Sequence, residues 1–275
     1  MKVIIPTDIS ESTVKALKFL SSFNNSKSID VDLLYVFNGD KNTLSQITLR
    51  DWKLDNVDSN LFAKSQHEVI EEIIKNFSFV SEIKCKNGSL EDEILAEANS
   101  GNYQMLVSAT HGLNSLSDIV FGNVTQHLVN DSKIPVLSLP ENYRISDSGR
   151  LLLISDFNIQ EKGDFENLRM LIEELNLELH LLKIVEEGMA EDTAIKSDII
   201  SFANSNKLKY DQMHIREGRT IEEGIHHFLE EFDISISAMA THARHGIKHF
   251  FLGSIAEELV DEINVPFYTF RIEPK

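Results

Sequence analysis

The sequence states one pattern twice. Ala109-Thr110-His111-Gly112, a loop, and Gly122-Asn123 return as Ala240-Thr241-His242-Ala243, a loop, and Gly253-Ser254. Residues 109 and 240 stand 131 positions apart, and Gly122 with Gly253 and Pro135 with Pro266 keep the same offset. Nearer the start, Val3-Ile4-Ile5-Pro6-Thr7-Asp8 and Leu151-Leu152-Leu153-Ile154-Ser155-Asp156 both read as an apolar strand ending in aspartate, at an offset of 148. Two offsets describe two copies of one unit that differ by an internal insertion. The irregular stretch 38–58, which holds the single tryptophan, Trp52, has little counterpart in the second half. It reads as that insertion, either covering one side of the first domain or making a surface excursion.

With 275 residues, each copy is large enough to bury a core of its own. Apolar runs of four to eight residues alternate with amphipathic stretches along both halves, the signature of parallel strands joined by crossover helices. Strands are expected near 2–7, 31–37, 79–86, 103–109 and 135–139, with helices near 11–23, 59–76, 90–100 and 122–131. The second half repeats the series, with strands near 150–155, 177–185, 210–216, 234–240 and 266–271 and helices near 162–175, 190–206, 220–231 and 253–264. Right-handed crossovers then leave an α/β fold, an open, doubly wound parallel sheet with helices on both faces. The domains are placed at 1–140 and 150–275, with the polar, aperiodic stretch 141–149 ending in Gly149 as linker.

Composition removes several classes of function. Asp and Glu outnumber Lys and Arg by 44 to 26, a formal charge of −18, which repels nucleic acid and anionic bilayers. Runs such as Glu71-Glu72, Glu91-Asp92-Glu93 and Glu257-Glu258 account for the charge as solvated helix faces. No apolar run approaches the roughly 20 residues of a membrane helix. Met1-Lys2 leads directly into Val3-Ile4-Ile5, leaving no room for a secretory leader, so a cytoplasmic protein is expected. Cys85 is the single cysteine, which excludes a disulfide within the chain and reads as a buried hydrophobe rather than a reactive thiol.

In open parallel sheets ligands gather at the carboxyl ends of strands, where the strand order reverses. Asp8 follows the first strand and Thr110-His111-Gly112 the fourth, so the two meet in one crevice if those strands are neighbours. The loop from Gly112 to Gly122 is long for a strand-to-helix connection. It delivers Gly122-Asn123-Val124-Thr125 to a helix start, where unpaired backbone N–H groups and the helix dipole suit a phosphate. Other chemistry finds less support. His242, His245 and His249 are irregularly spaced and read as solvated or phosphate-facing rather than as metal ligands. His226-His227 are adjacent on a helix and diverge. Asp8 lacks the second carboxylate that a phosphoryl-accepting site needs to hold magnesium. No Gly-x-Ser-x-Gly elbow, Walker A loop or His-Glu-x-x-His occurs.

The aspartate after the first strand, together with the Ala109…Gly112…Gly122-Asn123 and Ala240…Ala243…Gly253-Ser254 patterns, resembles the universal stress proteins, here as a tandem pair. The resemblance implies two flavodoxin-like domains of the adenine nucleotide alpha hydrolase-like type. It also implies antiparallel pairing of the last strands, Pro135–Leu139 and Pro266–Phe270, into an intramolecular pseudo-dimer able to pair further as a homodimer. Nucleotide-binding members carry Gly-x2-Gly-x9-Gly-Ser/Thr. Carried over, Asp8 contacts adenine or ribose of ATP or another adenine nucleotide, and Val36 borders the adenine. Ala109 stands for the first glycine, Gly112 and Gly122 keep the second and third, and His111 lies within the motif. Asn123 replaces the hydroxyl residue, and Val124 and Thr125 complete the phosphate cradle, with Mg2+ accompanying the phosphates. The second domain keeps Asp156 and Gly253-Ser254, with Ala240 and Ala243 at the earlier glycine positions and a basic loop of Arg244, His245, Lys248 and His249. The implied role is a stress-response regulator that binds nucleotide without dedicated catalysis and acts through an unidentified protein partner. The alternative is a nucleotide-independent scaffold with vestigial crevices, and a slow ATPase would need a general base and metal site that the motifs do not supply.

Overall fold

The computed structural model describes residues 1–23, 29–37, 66–109, 124–140, 142–158, 165–190, 192–240 and 265–271, and the backbone of 46–48, 64, 65, 123, 241, 242 and 272. Its chain divides into two compact units, one closing at Leu139 and the other running from Pro140.

In the first unit the strands are β1 (Lys2–Thr7), β2 (Asp30–Phe37), β3 (Gln46–Thr48), β4 (Val80–Asn87), β5 (Met105–Ala109) and β6 (Val136–Leu139). They lie in the order β3-β4-β2-β1-β5-β6, all parallel except β3, which runs antiparallel along β4. The helices are α1 (Glu11–Ser21), α2 (Lys64–Asn76), α3 (Leu90–Ala98) and α4 (Asn123–Asp131). Ser10 caps α1 by accepting the Ser12 N–H at 3.3 Å, and Val14, Leu17 and Leu20 form its buried stripe. Val3, Ile4 and Ile5 are almost wholly enclosed, as a strand covered on both faces requires. Ile4, Leu34, Ile94, Tyr103, Leu106 and Leu128 form the core that joins the sheet to α3 and α4.

The second unit holds β7 (Arg150–Ile154), α5 (Glu166–Leu175), β8 (Glu178–Val185), α6 (Thr193–Ser205), β9 (Gln212–Glu217), α7 (Ile221–Glu231), β10 (Ile236–His242) and β11 (Phe267–Ile272). All its strands are parallel, in the order β11-β10-β7-β8-β9. Counted within each unit, the five parallel strands follow one order, 3-2-1-4-5, so the sequence repeat is a repeat of topology. The helix expected at 253–264 lies outside the described residues. Ser146 and Ser148 hydrogen-bond to Ser235 just ahead of β10, which fastens the end of the 141–149 stretch to the second unit. Among the described residues no helix is long and apolar enough to cross a membrane.

Candidate functional site

In each unit the first and fourth parallel strands are neighbours. Val3 and Ile4 of β1 stand opposite Met105 and Leu106 of β5, and Leu151 and Leu152 of β7 opposite Ile236 and Ser237 of β10. The chain leaves β1 toward β2 and returns later on β1's other side, so the order reverses between β1 and β5, and likewise between β7 and β10. The carboxyl ends of these pairs form the crevice that such a reversal opens. Asp8 and Ala109 stand there in the first unit, Asp156 and Ala240 in the second.

The turn that carries each aspartate is built alike. Ile9 and Phe157, the residues that follow, have φ of 58° and 54°, left-handed backbone on bulky side chains. A hydroxyl two residues earlier holds each: Thr7 Oγ1 accepts the Ile9 N–H at 2.7 Å, and Ser155 Oγ accepts the Phe157 N–H at 3.0 Å. Thr7 Oγ1 also lies 2.6 Å from the buried Thr13 hydroxyl of α1. Both bulky residues are buried, Phe157 edge-on to Phe202 at 5.3 Å between centroids. Burial of these side chains and the N–H bonds offset the conformational cost, which for a left-handed L-residue is about 1–2 kcal/mol. The motif read from sequence gave the aspartate but missed the turn. The signal present was the hydroxyl residue before each aspartate, Thr7 and Ser155.

The crevices differ in what surrounds that turn. In the first, the Asp8 carbonyl accepts from Gln66 of α2 at 2.8 Å. In the second, the Asp156 carbonyl accepts from Lys183 of β8, and the Asp156 carboxylate accepts the Asn158 N–H at 3.2 Å. Lys183 occupies the position that Tyr35, stacked with Phe37 at 6.2 Å, holds in the first unit. Val36, at the end of β2, and Val124, in the first turn of α4, pack against the same core cluster and so share one face of the sheet. Asn123, Val124 and Thr125 open α4, and the Thr125 hydroxyl is buried 2.8 Å from Ser108 Oγ, which fixes the helix start over the end of β5. The Thr125 hydroxyl is thus engaged within the fold, against the end of β5. His111, Gly112, Gly122, Gly253 and Ser254 lie outside the described residues, as does the basic loop of the second copy. Among the described residues no cluster of three or more His, Cys, Asp or Glu side chains could hold a metal ion.

A second polar constellation lies toward the amino ends of the first unit's strands. Asp32 is fully buried, with Lys2 Nζ at 2.9 Å and the Tyr103 hydroxyl donating at 2.7 Å, while Lys84 bridges onward to Glu97 at 2.6 Å. Burial alone would lower the Lys84 ammonium, but Glu97, Asp32 and Glu82 outweigh it and raise it. Burial alone would raise Glu97, but Lys84 and Lys86 hold it below its ordinary value. This network joins strands to α3 and stands away from the crevice. Cys85 is buried, which pushes its thiol up to about 12 and leaves it unreactive at neutral pH.

The sequence model of the universal stress protein family matches residues 1–140. Universal stress protein MJ0577 of Methanocaldococcus jannaschii is 25% identical over 149 residues, spanning 50% of this chain and 92% of that protein. The crystal structure of a universal stress protein from Archaeoglobus fulgidus DSM 4304 superposes with a TM-score of 0.66 at 22% identity, covering 98% of both chains. A structure from Pseudomonas aeruginosa UCBPP-PA14 bearing the same family name reaches 0.61 at 16% identity, over 98% of this chain and 93% of its own. These two likenesses establish the fold over nearly the whole length.

Proposed function

The chain belongs to the universal stress protein family, and from that premise we propose that it is a cytoplasmic stress-response regulator that binds an adenine nucleotide, ATP foremost, without dedicated catalysis. The observation that carries this reading is the adjacency of β1 and β5, which sets the Asp8 turn beside the strand end over which α4 begins. In this reading the Asp8 carboxylate accepts from ribose or adenine and Val36 borders the base. Ala109, His111, Gly112, Gly122 and Asn123, with the backbone N–H groups of Val124 and Thr125, cradle the phosphates. Mg2+ arrives with the phosphates, which supply the oxygen ligands it prefers. Asp156, Gly253 and Ser254 form the second, less complete crevice.

A thermal-shift series with ATP, ADP and AMP plus magnesium tests this, because a ligand selective for the native state raises the melting temperature. The expected result is a rise that Gly122→Val abolishes for the first unit and Gly253→Val for the second. No rise at millimolar nucleotide favours the scaffold reading. One observation speaks for that reading in the second unit: the Asp156 carboxylate is already engaged by its own turn, through Asn158.

A further inference from the structure

We infer that the second unit carries an acid-responsive latch, in which the buried pair His180 and His214 holds β8, β9 and α7 together only while it shares a single proton. His180 projects from β8 and His214 from β9, with His214 Nε2 3.2 Å from His180 Nδ1. Both side chains are buried, His180 at 1% exposure and His214 at 9%. Phe228 and Phe232 of α7 stack on each other at 4.3 Å and close over His214 at centroid distances of 4.8 and 5.1 Å.

The contact admits one N–H between the two facing nitrogens. An added proton makes one ring a cation that donates to the other. A second proton sets N–H against N–H at 3.2 Å, so the rings must part, and α7 with them. The surroundings do little to receive that charge. Glu178 of β8 is the nearest carboxylate, 3.8 Å from His180 Nε2 and largely exposed, and Asp211, ahead of β9, is committed to the Leu179 N–H. Arg150 of β7 and Arg216 of β9 add positive charge beside the pair, and Arg216 lies over Phe228 and Phe232 and near Glu231 of α7. Burial, then His180, then Arg216 push His214 down to about 4, and burial, then Arg150, hold His180 below its ordinary value.

The first unit provides an internal control. By the repeat offset Asp32 stands where His180 does, and by sheet register Lys84, opposite Leu34, stands where His214 does, opposite Leu182. There the pair is a carboxylate and an ammonium 3.8 Å apart, which attract each other where two imidazolium rings repel.

A folded histidine pKa below the unfolded one stabilises fully above the ordinary value and loses that contribution as pH falls toward the folded one. With 6.5 unfolded and about 4 folded, His214 alone raises the opening constant about 30-fold between pH 7.5 and pH 5. Peptide-resolved hydrogen exchange on the full chain, corrected for intrinsic rates, reads this directly. Peptides covering β9 and α7 should lose protection by about that factor while β4 and α3 do not, and the double variant His180→Leu/His214→Phe should remove the response. Unchanged protection in β9 and α7, or the same acid response in the double variant, overturns the latch. Where that variant does not fold, imidazole NMR on the wild type decides. Two of the ten histidines should titrate below the ordinary imidazole range, and ordinary titration of all ten overturns the inference.

Discussion

The residue that does most to shape each crevice is the hydroxyl one position ahead of the aspartate. Thr7→Val removes the acceptor of the Ile9 N–H and the partner of Thr13, and should cost about 1–3 kcal/mol in chemical denaturation, whereas Thr7→Ser should restore most of it. Ser155→Ala should cost less, about 1 kcal/mol, because Ser155 supports the single Phe157 N–H bond. Thr125 and Ser108 form a comparable buried pair, and a double-mutant cycle of Ser108→Ala with Thr125→Val should return a coupling of about 1 kcal/mol. At Asp32, alanine leaves Lys2 and Lys84 facing a void and should destabilise the first unit by about 3 kcal/mol. Because Glu97 is held below its ordinary value, its contribution is complete above the usual carboxylate range and disappears only as pH falls through the lowered value.

At the scale of elements, helix packing makes one sharp demand. A Cβ on Gly224 of α7 would meet the Ile184 side chain of β8 at 2.7 Å. Gly224→Ala should therefore cost about 1–3 kcal/mol in thermal or denaturant unfolding, partly recovered by Ile184→Val. Most elements were legible in the sequence because buried parallel strands read as apolar runs, as in Leu151-Leu152-Leu153-Ile154, and amphipathic helices carry their own period. β3 was not. It is three residues long, with one apolar position, Ile47, and its pairing with β4 comes from the sheet edge and not from its own pattern. The aspartates of the candidate site were legible from their place after a strand. The left-handed turns were not, since isoleucine and phenylalanine rarely adopt that backbone and only their neighbours hold them there. The His180–His214 contact was equally hidden, because it arises from register between strands far apart in sequence.

For the whole molecule, the duplication has preserved topology while letting the chemistry of the copies diverge. The first unit sets a tyrosine beside its crevice and a carboxylate–ammonium network under α3; the second sets a lysine beside its crevice and a histidine pair under α7. Copies that differ this way are expected to answer different signals, nucleotide and acidity among them. The most direct test of the nucleotide account is hydrogen exchange on the full chain with and without millimolar ATP and magnesium. The account predicts slower exchange in peptides that span Asp8 to Thr13 and Asn123 to Leu128, with the β3–β4 edge unchanged. Equal exchange in both crevice peptides with and without ATP would contradict it.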